Sequence, residues 1–585
     1  MKYILMLISI SLAFVFSSCE DYLDKVEEAD GMSAEEVFGN YQNYRKYTDR
    51  MYQDLHNYLS QGDYTPVSSL SDEGTAVSGW PSLAEAQNGN WIGLVVSDYP
   101  TSGMFGGVWR SWRSIRIANK TLENIHMLDN DPNVTKDQID QLKGQAYFMR
   151  AWYYYEYLKR QGGMPYIEYS FEADDNFALS RLSREETAKK IAADCDTAYQ
   201  LLPQRWPDDH IGRPEKGSAL ALKAAALLIP ASPQYNAGND QSRWENVAQA
   251  AWNAIDYART TRRYRLLPSN SLDTVTYRTP EGIKMIEYAG GFDSVFMYTP
   301  YNDEIMWEDY GSINENMYNI FGVPSITSSG VLKGYSVSAN IVERFETING
   351  LDIDDDNSFD PQNPYVNRDP RFYHSILFNQ QRWTSESGRY LELWNGGSER
   401  VAENFYNRSG YLARKFWAPN RDQFSGRVNE NNHTIYFRLS EMYMIYAEAA
   451  NELGGPDYKI SGSDMTAVEA VNFVRARVGM PPVNSKYLGS KDDFRERIRN
   501  ERAVEFFLEG KRLFDLMRWG IAHETEYRSL YAHNFVKDDT KETGFTISRS
   551  ELPFHSNVFE KRQYNWPVPT NDGYMFQEFN QNPGW

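Results

Sequence analysis

The sequence predicts a mainly α-helical fold of antiparallel hairpins that supports a loop-rich region with short strands. Three observations carry this prediction. Apolar side chains recur at steps of three and four in several separate segments, the spacing of one helix face. Ser/Thr-x-x-Glu boxes open three of those segments, a helix-start signature. The remaining third of the chain, roughly 60–105 and 265–435, is rich in Gly, Pro, Asn and aromatic residues and holds only short strand-like runs.

The chain opens with Lys2, an apolar stretch from Ile4 to Phe16, the small residues Ser17 and Ser18, and then Cys19. That stretch has signal-peptide length, well short of the roughly 20 residues that span a bilayer. Simple cleavage would need small residues and no cysteine. Cys19 therefore points to acylation of its sulfur, with several acyl chains giving stable anchoring where one would be marginal. The pattern resembles a bacterial lipobox, with Phe16 where Leu is usual. The expected division is a signal peptide over 1–18 and an acidic tether over 19–36.

Helical segments follow. VWRSWRSIRIANKTLENIHML sets Trp109, Trp112, Ile115, Leu122 and Ile125 along one stripe. DQLKGQAYFMRAWYYYEYLKRQGG does the same through Leu142, Ala146, Met149, Tyr153 and Tyr157. It stops at Gly162 and Gly163, with Lys159 and Arg160 in the last turn. Capping boxes are expected at Ser183 with Glu186, Ser242 with Glu245 and Thr466 with Glu469. An Ala-rich segment, PEKGSALALKAAALLIP, is expected to end at Pro230. FRLSEMYMIYAEAANELGG and DDFRERIRNERAVEFFLEGKRLFDLMRWG complete the set. Short connections between such helices imply antiparallel neighbours. Helix starts are spaced irregularly, so no fixed repeat period is demonstrated. DEIMW and HTIYF read as strands, and Trp307, which ends the first, reads as packing.

Composition narrows the function. With 80 Asp and Glu against 60 Lys and Arg, the formal net charge is −20, which argues against nucleic-acid binding, a task that calls for a basic patch. Cys195, the only other cysteine, sits in a helical pattern and reads as a small buried side chain. No HExxH, G-x-S-x-G, Walker loop or CxxC pair occurs. No catalytic residue, cofactor or metal site is expected. The run LDIDDDNSFD alternates Asp352, Asp354, Asp356, Ser358 and Asp360, but Asn357 and Asn363 replace the Gly and Glu that a calcium loop requires, so a solvated turn is expected.

The chain holds 41 Tyr, 29 Phe and 15 Trp. A sugar ring has an apolar C–H face and a hydroxyl rim, so binding one calls for an aromatic platform edged by carboxylates or amides. Two loop stretches supply that mixture. SLSDEGTAVSGWPSLAEAQNGNWIGLVVSDY offers Asp72, Glu73, Trp80, Trp91 and Tyr99. VFMYTPYNDEIMWEDYGSINENMYNIF offers Tyr298, Tyr301, Trp307, Tyr310 and Tyr318.

Read together, CEDYLD, GQAYFMRAWYYYEYLKRQGGMPYI, RPEKGSALALKAAALLIPASPQYN, NRDPRFY, FRLSEMYMIYAEAANELGG, AVEAVNFVRARVG, NERAVEFFLEGKRLFDLMRWG and PVPTNDGYMFQEFNQNPGW resemble, in this order, the SusD/RagB family of outer-membrane nutrient-binding lipoproteins. The resemblance implies about four tetratricopeptide-like hairpins supporting a loop-rich ligand region, one domain over 37–585 with halves near 37–290 and 291–585. It implies lipid anchoring through Cys19 to the outer face of the outer membrane and pairing with a SusC-type TonB-dependent transporter. It implies capture of oligosaccharide without catalysis. Glu20 and Asp21 loosely match the family's acidic export signal. Carried onto this sequence, the expected glycan contacts are Trp80, Trp91 and Asp72, then Tyr301 and Tyr310. A surface hydrolase with a loop carboxylate pair, or a peptide receptor of the same fold, are the alternatives.

Overall fold

The computed structural model describes residues 33–58, 67–76, 85–91, 111–129, 131–172, 175, 178–297, 302–309, 335–382, 389–400, 408–416, 434–568 and 580–585. Cys19 and the leader lie outside them. Among the described residues no helix is long and apolar enough to cross a membrane.

The longer helices are α1 (Tyr41–Asp49), α2 (Ser111–Asn124), α3 (Lys136–Arg160), α4 (Arg184–Leu201), α5 (Lys216–Ala231), α6 (Gln241–Thr261), α7 (Leu439–Gly454), α8 (Ala467–Ala476), α9 (Lys491–Glu505) and α10 (Arg512–Trp519). They stack serially as helical hairpins: α2 on α3, α3 on α4, α4 on α5, α5 on α6, α6 on α7, and α7 on both α8 and α9. The contact of α6 with α7 joins segments far apart in sequence. The chain leaves the stack at Arg262, a helix end in the left-handed region (φ 55°), and re-enters it at Leu439. The loop-rich region is thus an insertion between two neighbouring helices.

Local chemistry explains the helix limits. Ser183 and Thr466 form the expected capping boxes with Glu186 and Glu469, and further boxes form, among them Ser33 with Glu36 and Thr135 with Gln138. The box expected at Ser242 is not made. Asp240 caps α6 instead, accepting from the Ser242 N–H at 3.0 Å, because Asp two residues earlier offers a charged acceptor. Pro230 lies inside the last turn of α5, and the helix closes one residue later. The Ala-rich face of α5, with Ala219, Ala221, Ala224 and Ala226 fully buried, permits close approach of α4 and α6. Cys195 is buried with a free thiol, and burial pushes it well above the ordinary thiol range.

The strands are short. β1 (Gly74–Ala76), β5 (Tyr335–Val337), β7 (Leu412–Ala413) and β6 (Ile376–Leu377) form one sheet in that order. β2 (Leu272–Thr279) and β3 (Gly282–Ala289) make a hairpin with Thr279 opposite Gly282. β9 (Ser529–Lys537) pairs with β10 (Phe545–Ser556). The expected strands within DEIMW and HTIYF are β4 (Ile305–Asp309) and β8 (Thr434–Arg438), paired antiparallel. Trp307 of β4 is buried against Phe148, Trp152 and Tyr436, as its apolar run led us to expect.

Candidate functional site

The register of β1 with β5 organises the site. Ala76 faces Tyr335 and Gly74 faces Val337. β1 lies within the first aromatic stretch, whose later part leaves it after Ala76, and the chain enters β5 at Tyr335, fourteen residues after the second stretch ends at Phe321. The two stretches, about 200 residues apart in sequence, are thus joined to neighbouring strands, the first directly and the second through that connection. The second stretch also departs from Asp309, the β4 residue opposite Thr434 of β8. Trp80, Tyr301 and Tyr310 lie outside the described residues, as do Tyr99, Tyr298 and Tyr318.

Asp72 and Trp91 are described, and both are interior. Asp72 accepts two bonds from Arg512, each 2.7 Å, with Arg344 3.5 Å away. Burial works against its charge, but the two guanidinium groups outweigh it and hold the carboxyl below the usual carboxylate range. Its backbone carbonyl accepts from the Ser338 hydroxyl, and the Glu73 carbonyl accepts from the Ser338 N–H at 3.0 Å. This ties β1 to the segment that follows β5. Trp91 is 1% exposed. Its Nε1 donates to the Ala86 carbonyl at 2.8 Å, and its ring meets Phe559 and Trp566 edge-on and stacks on Trp585 (6.4 Å, 18°). The C-terminal tryptophan thus props the inner end of the first aromatic stretch. No periodicity in the sequence signals that contact.

Two buried carboxyls sit at the roots of these stretches. Glu73 precedes β1, and burial pushes it up to about 8 against the Leu508 N–H, which donates to it at 2.9 Å; its Oε2 has no partner among the described residues. Glu308, two residues before Tyr310, is likewise pushed up to about 8 by burial and by Asp309. Both are proton-bearing at neutral pH. Sequence reasoning placed Glu73 in the cluster but gave no sign of its neutrality, which depends on what packs around it.

A separate groove of about 760 Å³ runs between α9, the β9–β10 hairpin and the 352–364 turn, bordered by Glu343, Arg344, Asp352, Arg497, His533 and Arg549. Its charges are largely paired: Glu343 with His533 and Arg549, Asp352 with Arg497. The aspartate run lies at its edge. Asp356 accepts from Thr347, Asn349 and Ser358, and Asp355 accepts from Tyr487 and pairs with Lys486. The run forms a turn, and these oxygens are committed to the protein.

Asp273, Asp293 and His374 bring possible ligand atoms within 4.8 Å of one another. Both His374 nitrogens are engaged, Nδ1 with Asp293 at 2.8 Å and Nε2 with the Ala289 carbonyl at 2.9 Å, and Arg414 also holds Asp293. That donor set fits an ion-pair cluster rather than a cation site.

The NERAVEFFLEGKR segment is fold chemistry, with partners the spacing alone did not identify. Glu501 pairs with Arg371 and Arg475. Glu505 pairs with Arg371, Arg438 and Arg477, and Glu509 with Arg438 and Lys415. Arg502 and Arg518 share Asp515, Lys511 meets Glu441, and Arg512 meets Asp72. Glu441 and Glu448 are both consumed in such pairs, Glu448 by Arg518.

Two family models match the chain. One, described as the SusD family, covers residues 303–585; the other, described as starch-binding associating with outer membrane, covers residues 21–228. Among curated proteins, SusD-like protein P2 of Formosa agariphila is 26% identical over 432 residues, 72% of this chain and 73% of that protein. Among solved structures, a SusD-like protein from Bacteroides fragilis aligns with a TM-score of 0.72 at 21% identity, covering 95% of this chain and all of that one. Surface glycan-binding protein A from Bacteroides fluxus aligns with a TM-score of 0.58 at 19% identity, covering 93% and 100%. Serial helical hairpins, a long insertion and both sequence models point the same way, and the chain belongs to the SusD/RagB family.

Proposed function

We propose that this protein captures oligosaccharides on a face built by its two aromatic stretches and passes them to a SusC-type TonB-dependent transporter. The observation that carries the reading is the β1–β5 register, in which β1 of the first stretch lies beside the strand to which the chain returns after the second. Trp80, Tyr301 and Tyr310 are the proposed platform residues. Asp72 and Trp91 take a supporting role in place of the direct contact expected of them, because their polar atoms and ring faces are already used in the interior. The description of the matching N-terminal model and the glycan-binding name of one structural neighbour support a carbohydrate cargo. Recognition and delivery need no catalytic group. Acylated Cys19 would anchor the chain to the outer face of the outer membrane beside the transporter.

Calorimetric titration with a panel of oligosaccharides tests the reading. For the sugar that binds, Trp80→Ala, Tyr301→Ala and Tyr310→Ala should each weaken affinity by about 1–3 kcal/mol. Unchanged affinity in all three would move the site elsewhere. New reducing ends on prolonged incubation would replace capture by hydrolysis. Mass spectrometry of the mature N-terminus tests the anchor: an unmodified Cys19 would remove it.

A further inference from the structure

A cavity of about 50 Å³ lies where α3, α5, α7, α9 and α10 meet. Its charged lining is Lys159, Arg502, Lys511 and Arg518 against Glu441 and Asp515. Including the buried partners just behind, Glu156, Arg160 and Glu448, three ion-paired groups around the cavity hold five basic side chains and four carboxylates. Helix ends reduce the imbalance without removing it: α3, α5 and α9 bring C-terminal turns to the cavity and α7 and α10 bring N-terminal turns, so their fractional charges largely offset.

Two cationic donors have unspent capacity here. Arg502 is 2% exposed. Its Nε and Nη2 donate to Asp515 at 2.9 and 3.0 Å, while Nη1, also buried, has no partner among the described residues. Lys159 reaches Glu156 at 2.6 Å and the Tyr58 hydroxyl at 2.6 Å, and its third N–H has only ring faces around it, those of Tyr155 and Phe514 within 4.7 Å. A buried guanidinium N–H without an acceptor is costly, and ring faces compensate an ammonium less fully than an anion does.

We propose that this cavity is a binding site for a small monovalent anion of the halide type, held by Arg502 Nη1 and Lys159 Nζ. The volume suits a monatomic anion with one or two waters. The anion would supply the missing negative charge, satisfy the orphaned guanidinium N–H, and tie the end of α3 to α9 and α10. Consistent with this need, burial, aided by the nearby Arg160 and Lys511 charges, pushes the Lys159 ammonium down to about 7 despite Glu156 beside it.

The test uses crystals of the protein soaked in sodium bromide, with data collected at the bromine edge. The proposal expects an anomalous peak in the cavity, in contact with Arg502 and Lys159, and its loss in Lys159→Met, which removes the surplus charge. Bromide at surface sites with none in the cavity overturns it, and so does an undiminished peak in the variant. A solution measurement stands apart from crystallising the variant. At pH 7 and equal ionic strength the wild type should melt about 1–3 °C higher in chloride than in gluconate. Identical melting in the two salts overturns the proposal.

Discussion

Between α4 and α6, α5 presents Ala219, Ala221, Ala224 and Ala226 to its neighbours. Phe148 and Trp152 of α3 pack ring on ring against Trp307 and Tyr436 of the β4–β8 pair, and several of the stack's buried charges are gathered around the cavity. Where the insertion meets α9, the interior instead holds Glu304, Glu505 and Glu509 among Arg438, Arg477 and Lys415. The difference follows from backbone hydrogen bonding. A helix satisfies its own amides, so its buried face can be wholly apolar. Irregular chain leaves carbonyls that need donors, and each buried orphan is costly. Arginine, with five N–H groups, is the side chain that can reach several at once. Arg368 donates to the carbonyls of Pro364, Val342 and Phe345. Arg414 donates to Tyr373, and Arg400 to His533 and Arg408. The carboxylates then balance the charge so introduced. The loop-rich region also has its own apolar core, which takes in Val504, Phe507 and Leu508 from the end of α9 and beyond.

The comparison breaks most readily at Glu505. Glu505→Ala would leave Arg371, Arg438 and Arg477 without their shared partner, and we expect a loss of about 3–5 kcal/mol in denaturant unfolding. In the stack, Trp152→Ala should cost a similar amount by leaving a cavity. The two should differ in salt response, since high salt offers the stranded arginines counterions and does nothing for a cavity. Equal salt responses would erase the distinction drawn between the regions.

The next effect is on pH. Glu73 ionises at about 8 when folded against an ordinary value of 4.5. Between those values the folded protein holds a proton that the unfolded chain has released, so stability falls as pH rises from 5 to 8. The expected fall is on the order of 2–4 kcal/mol from Glu73, with Glu308 acting in the same direction. Glu73→Gln, which needs no ionisation, should flatten part of that slope in denaturation midpoints at pH 5 and 8. A variant as pH-dependent as the parent would place the buried charge elsewhere.

Smaller still is the cap of α4. Ser183→Ala removes one side of a capping box and should lower stability by about 1 kcal/mol. Least of all, the exposed pair of Arg259 with Asp464 (side chains 43% and 64% exposed) should cost at most about 0.5 kcal/mol on Arg259→Ala. A loss comparable to that at Glu505 would mean that burial does not separate strong from weak ion pairs in this fold.

The helices were legible because their information is local. The stripe through Leu142, Ala146, Met149 and Tyr153 and the boxes at Ser183 and Thr466 each lie within a few residues. Where a stronger local competitor existed, as Asp240 beside Ser242, the reading slipped by two residues. The two aromatic stretches were also legible as compositions, and so were the short strands β4 and β8, though not their pairing. Their meeting was not. It rests on the pairing of Ala76 with Tyr335, and nothing in either segment names the other. The interior placement of Asp72 and Trp91 was hidden for the same reason: Arg512 and Trp585 lie more than 400 residues away.

By itself the sequence determined the helical hairpins and most of their caps, an acidic balance that argues against nucleic-acid binding, and the motifs that identify the family, because propensity, period and charge are properties of short segments. Tertiary structure alone decided which carboxylates ionise, which aromatics are structural and where the insertion rejoins the stack. Those outcomes depend on desolvation and on partners brought together from distant parts of the chain.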